Sequence, residues 1–421
     1  MHDRATLPNG IRILTERMPH VRSATVIFYF GVGSRYEDEP LAGVSHFIEH
    51  MLFKGSERYP TAQTISETIE GLGGVMDAAT GKELTAYSAK IASRHFDLAM
   101  DVLTDMVRHP ILDPHELEKE RRVITEEINM YRDSPQDWVW VLGDEALWPG
   151  LPLGREVAGT RESVEAITRE GMDAYRRSHY LPNNLVVGVT GDIEHERVVG
   201  SVERLLGGWE AGESPRWMPC PPPAGVPRVR LERRDTEQTN LCLFTPGVAY
   251  DDSRHYALSV LNTILGEGMS SRLFLEVRER QGLAYEVNSS NSTYHDTGCF
   301  TVYAGVEPSR TGPALRAILA EMGRMRTELV PEAELGRAKE YIKGRIVLGL
   351  EDTYSVAAWL AGQELRYGRI HEVDEELAHF DAVTAEDLRR LASDLFQDEW
   401  LRLALIGPHD DAGDLDGILA L

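Results

Sequence analysis

The sequence predicts an α+β protein made of two homologous halves joined by a linker, and three observations carry that prediction. First, 421 residues exceed what one ordinary hydrophobic core organises, so at least two domains are expected. Second, short strand-like runs alternate with longer helical patterns throughout the chain. Third, landmarks recur. Ala166-Ile167-Thr168-Arg169-Glu170 opens a helix, and the strand after it closes at Gly191-Asp192. Ala382-Val383-Thr384-Ala385-Glu386 opens another, whose strand closes at Gly407-Pro408, and both landmarks are offset by 216 residues. Tyr131-Arg132-Asp133-Ser134 resembles Leu350-Glu351-Asp352-Thr353 at an offset of 219. The expected domains are 1–206 and 228–421. Between them, 207–227 is rich in proline and glycine and lacks periodicity, as a linker should.

In chain order, Asn9-Gly10 signals a turn before strands at Ile11–Leu14 and Ala24–Phe30. Between Pro40 and Gly55 the periodicity is helical, with Val44, Phe47, Ile48, Met51 and Leu52 forming an apolar stripe. A second helix runs from about Thr61 to Leu72 and stops at Gly73-Gly74. Strands at Val75–Ala79 and Glu83–Ile91 follow, then helices near 94–108 and 114–131, the latter ending at Asp133-Ser134-Pro135. Two more helices lead to a buried-type strand at Asn184–Thr190.

Composition narrows the function classes. The net charge of −24 argues against a nucleic-acid partner, because phosphate binding needs clustered cations. The excess negative charge is assigned to a solvated surface. No apolar run is long enough to span a bilayer, and the first ten residues lack the basic and apolar regions of a secretory signal. Three cysteines, Cys220, Cys242 and Cys299, have no metal-ligand spacing and fit reduced thiols. The expectation is a cytoplasmic protein with no membrane association.

The chemistry concentrates in the first of the helices. His46-x-x-Glu49-His50 places two imidazoles and a carboxylate on one helical face, because residues three and four apart are neighbours there. An i, i+4 imidazole pair can hold one zinc ion, and this order of residues is a metallopeptidase signature. A catalytic zinc keeps three protein ligands and a water, so a third ligand must come from elsewhere. Glu49 stands where a general base could deprotonate that water. In the 114–131 helix, Glu120 and Glu127 lie seven residues apart and share a face. If that face meets the first helix, Glu127 can complete a His2Glu set and Glu120 can support a ligand from behind. Glu126 is a rival ligand, since adjacent positions cannot be separated by pattern. The second half has no histidine around Leu258–Leu265 and an apolar position near Ile346, so the metal chemistry belongs to one half.

These residues resemble the pitrilysin, or inverzincin, family (M16) of zinc metallopeptidases. Beyond the histidine motif, followed after 76 intervening residues by Glu127, the resemblance includes Phe53-Lys54-Gly55, Gly73-Gly74, Glu120-Arg121 with Val123-Ile124, and Leu181-Pro182-Asn183-Asn184. It covers essentially the whole chain, and the length is similar to the short, processing-peptidase-like branch. The resemblance implies a LuxS/MPP-like metallohydrolase fold, with two α/β-sandwich-like halves that form half of a clamshell. It implies one Zn2+ per subunit on His46, His50 and Glu127, Glu49 as base, and Glu120 behind the ligands. Arg278 and Tyr285, in Arg272-Leu-Phe-Leu-Glu-Val-Arg278-Glu-Arg-Gln-Gly282-Leu-Ala-Tyr285, resemble the family's pair that binds substrate and steadies the tetrahedral intermediate. Asp77 and Ala78 fall where the family pairs substrate along a strand, although Met76-Asp77-Ala78-Ala79 departs from the usual Asn-Ala. The implied function is a zinc endopeptidase that acts on short or unfolded peptides bound as an extended strand. A homodimer is the implied assembly, with a heterodimer with a related chain as the alternative. The rival function is a non-catalytic core, scaffold or peptide-binding subunit of a processing-peptidase-like heteromer.

Overall fold

Eleven strands form two sheets among the residues that the computed structural model describes, 2–221, 227–411 and 413–421. The first sheet contains β1 (His2–Thr6), β2 (Arg12–Arg17), β3 (Ser23–Phe30), β4 (Val75–Thr80), β5 (Thr85–Ala92) and β6 (Leu185–Gly191), in the order β1-β2-β6-β3-β5-β4. The second contains β7 (Val229–Arg233), β8 (Thr239–Pro246), β9 (Ala284–Thr293), β10 (Gly298–Val306) and β11 (Arg402–Gly407), in the order β7-β11-β8-β10-β9. In each sheet one pair is parallel, β2 with β6 and β7 with β11, and every other pairing is antiparallel. The two orders superimpose strand for strand once β1 is set aside. The recurrence at 216 residues is therefore a repeated topology, in an α+β fold of two units.

Four helices of the first half matter for the site: α1 (Val44–Leu52), α2 (Ala62–Glu70), α3 (Phe96–Arg108) and α4 (Pro114–Asp133). All five residues of the expected α1 stripe are fully buried. The helix starts later than Pro40 because residues 39–41 form a separate short turn. Asn9-Gly10 makes the turn between β1 and β2; β1 itself was not expected. Its sequence, HDRAT, carries no apolar alternation, and it is an edge strand that pairs only with β2.

The chain divides into two units that are not continuous in sequence. The first comprises Met1–Asn129, Glu156–Met218 and Leu348–Ile370, and the second Met130–Arg155, Pro219–Val347 and His371–Leu421. All six strands within 1–206 lie in the first unit and all five within 228–421 in the second. Each half contributes one helix to the other unit: Pro135–Leu147 goes to the second and Thr353–Tyr367 to the first. The reason lies in the sheets. In the first, Val26, Phe28, Phe47 and Phe96 belong to the main core on one face. On the other face Leu14, Ile27 and Val186 meet Val356, Ala357, Leu360 and Ala361 of the exchanged helix. In the second, Leu241 and Leu243 face the main core, while Cys242 and Phe244 meet Val139 and Leu142. Central strands β6 and β11 are buried along their whole length, as strands covered on both faces must be. Of the expected linker, 207–218 stays with the first unit, where the buried Arg35 guanidinium lies 4.3 Å from the Trp217 ring. Residues 222–226 lie outside the described residues.

Candidate metal centre

The centre forms where α1 meets α4 in the first unit. Gly43 precedes α1 with φ +91°, and a Cβ there would sit 2.4 Å from the Ala158 carbonyl oxygen, so only glycine fits. The buried Glu37 carboxylate accepts hydrogen bonds from Gly43 N (2.7 Å) and Ser45 N (2.8 Å), at the positive end of the helix. Met51, Leu52, Phe47 and Ile48 bury the opposite side of α1. His46, Glu49 and His50 are thereby left on its less buried face.

On α4, Leu117, Glu120, Ile124 and Ile128 form the buried stripe, and Glu127 stands beside it, one-third exposed. Glu126 is exposed and is not in the cluster. His46, His50 and Glu127 each offer a ligand atom within 4.8 Å of the other two. Glu127 Oε2 lies 3.5 Å from His50 Nε2 and 3.9 Å from His46 Nε2. Tetrahedral ligands at zinc distances stand about 3.3 Å apart, so small side-chain movements would bring the three onto one ion. Two imidazoles and one carboxylate also match the donor chemistry of a catalytic zinc site.

The surroundings prepare each group. His50 Nδ1 lies 3.1 Å from Glu120 Oε2, and Glu120 Oε1 accepts from Lys54 Nζ at 2.8 Å. A proton on His50 Nδ1 directs the Nε2 lone pair toward Glu127. Burial opposes charge on His50, but the Glu120 hydrogen bond and the nearby Glu127 raise its pKa on balance. Burial likewise opposes charge on Glu120, yet its bonds to His50 and Lys54 hold it below the ordinary carboxylate value. His46 behaves differently: burial, assisted by His50, lowers it to about 4, so it is a neutral imidazole near pH 7. Glu49 is raised, mainly by burial, against the stabilising hydrogen bond that Thr80 Oγ1 donates to its Oε2.

Strand β4 passes alongside α1 and pairs only with β5, so it is an edge. Asp77 and Ala78 lie on it; Asp77 is exposed, and its Oδ1 accepts from Ala78 N at 3.0 Å. Arg278 and Tyr285 belong to the second unit. Arg278 sits on the wide helical turn Phe274–Arg280, which packs against β9, with its guanidinium 4.9 Å from the Phe274 ring. Tyr285 is on β9, an edge strand, and is 61% exposed. Sequence reasoning missed Glu37 and Thr80, which reach the site from other segments. Lys54 had a readable signal, since it lies four residues after His50.

With this geometry in view, the comparisons agree on a class. A model described as Insulinase (Peptidase family M16) matches residues 12–161, and one described as Peptidase M16 inactive domain matches 166–342. A Streptomyces coelicolor protein named an uncharacterized zinc protease is 41% identical over 97% of this chain and 90% of its own length. YmxG of Bacillus subtilis, also named an uncharacterized zinc protease, is 37% identical over 97% of this chain and 98% of its own. The chain belongs to the M16 peptidase family. Among solved structures, a Helicobacter pylori protease superimposes with a TM-score of 0.92 at 22% identity, covering 97% of this chain and 99% of that one. A subunit in the Complex III2 structure from Candida albicans gives 0.85 at 20% identity with both chains fully covered. These two likenesses establish the fold.

Proposed function

We propose that the chain is a zinc-dependent endopeptidase that hydrolyses short or unfolded peptides bound as an extended strand. The observation that carries this reading is the His46, His50 and Glu127 cluster beside Glu49, in a chain whose relatives are named zinc proteases. A zinc ion bound there would polarise the scissile carbonyl and lower the pKa of a water. Glu49, raised by burial, takes the proton from the attacking water and passes it to the leaving amine. Thr80 orients that carboxylate, while Glu120, itself paired with Lys54, holds the His50 ring. The exposed edge of β4, at Asp77 and Ala78, offers backbone groups to an extended peptide. Arg278 and Tyr285, a cationic fork and a phenolic donor, have the chemistry that a developing oxyanion takes, whether they serve the same chain or a second subunit.

The test compares zinc content and peptide hydrolysis for the wild type and Glu49→Gln. Equal zinc in both, with cleavage at least a hundredfold slower in the variant, is the expected result, since general-base groups contribute roughly 10²–10⁴-fold. Equal activity would remove Glu49 from the mechanism. Bound zinc without cleavage of any peptide would favour a scaffold subunit. We further propose a cytoplasmic homodimer, tested by sedimentation equilibrium; a single species at the mass of one chain would exclude the dimer.

A further inference from the structure

The second unit contains another set of metal-ligand side chains, on and just before the helix Val373–Ala382. His371, Glu375 and His379 each offer a ligand atom within 4.8 Å of the other two. Glu375 and His379, four residues apart, share a face of that helix, and His371 lies two residues before its start. We propose that this cluster is a second metal centre, which takes one divalent transition-metal ion, zinc above all, and acts structurally.

Three observations support it. The donor set, two imidazoles and one carboxylate, is of the kind that holds zinc. Each imidazole is oriented by another group: His371, only 7% exposed, has Nδ1 3.1 Å from Glu376 Oε2, and His379 stacks on the Tyr256 ring at 4.6 Å and 22°. The Tyr256 hydroxyl donates to the same Glu376 oxygen at 3.0 Å. A carboxylate on His371 Nδ1 places the proton there and the lone pair on Nε2, the arrangement that Glu120 makes with His50. Third, His379 lines a cavity of about 520 Å³, so one of the three donors borders open space. A metal held there would tie His371, just before the helix, to Glu375 and His379 within it. This proposal does not depend on peptidase activity.

The experiment uses the full chain with His46→Ala and His50→Ala, which removes the imidazoles of the first cluster. Zinc alone is the probe, buffered by a chelator of known affinity, and bound metal per chain is read by atomic emission. One equivalent at micromolar free zinc or below is expected, together with a zinc-dependent rise in melting temperature. Adding Glu375→Gln or His379→Gln should lower the affinity at least tenfold, and Glu376→Gln should lower it roughly 10–100-fold. A melting curve for each variant without metal checks that it is folded. Absence of the equivalent would overturn the proposal. So would an equivalent of unchanged affinity in all three folded variants, since the ion would then sit elsewhere.

Discussion

At the residue scale, the first centre depends on groups that touch its ligands from behind. Glu120 is 5% exposed and joins His50 to Lys54, so its carboxylate fixes both the tautomer and the direction of the ring. Glu120→Gln keeps the shape but removes the charge that favours a proton on Nδ1. It should weaken zinc binding roughly 10–100-fold while the fold is retained. Chelator competition reads this directly, and an unchanged affinity would reduce Glu120 to a packing residue. His46, Glu49 and His50 were legible because helical spacing alone places them together. Glu127 was legible as one of two adjacent candidates, and helix packing separates it from the exposed Glu126. Thr80 and Glu37 were not legible, because neither lies at a helical spacing from the groups it holds.

At the element scale, the exchanged helices make the most specific demands. Asp352 caps Thr353–Tyr367, accepting from Tyr354 N and Ser355 N and pairing with Lys90. The Lys90 hydrogen bond is the main cause that holds its carboxyl below the ordinary value of 3.8. A depressed carboxylate adds stability that is present above the unfolded pKa and lost as pH falls through the folded one. Asp352→Ala should cost about 0.5–2 kcal/mol near pH 7, and the gap from wild type should close as pH drops below 3.8. Denaturation across that pH range measures it; a gap independent of pH would assign the cost to something other than the charge. On the other exchanged helix, a Cβ at Gly143 would approach the Phe244 ring to 1.8 Å. Gly143→Ala should therefore destabilise by roughly 1–2 kcal/mol, since overpacking outweighs a helix-propensity gain of at most about 1 kcal/mol. A urea midpoint at or above the wild type would show that the ring yields freely.

At the scale of the whole molecule, one topology occurs twice and carries different chemistry in each unit. The first unit holds the His46 cluster, and the helix His255–Leu265 has no equivalent pair. The second unit holds Arg278, Tyr285 and the His371 cluster instead. Two sheets share the same strand order, and the side chains on their helices differ.

The sequence by itself determined the α+β class, the two related halves, the α1 stripe and the histidine motif. These are local or periodic features: burial repeats every 3.6 or 2 residues, and ligand spacing follows the helix. Only the tertiary structure decided which sheet each exchanged helix covers, which of Glu126 and Glu127 joins the cluster, and that Glu37 and Thr80 serve α1. An amphipathic helix encodes that it must bury a face, but not which face of which sheet receives it. A side chain that meets a partner from another strand or loop leaves no period in the chain to read.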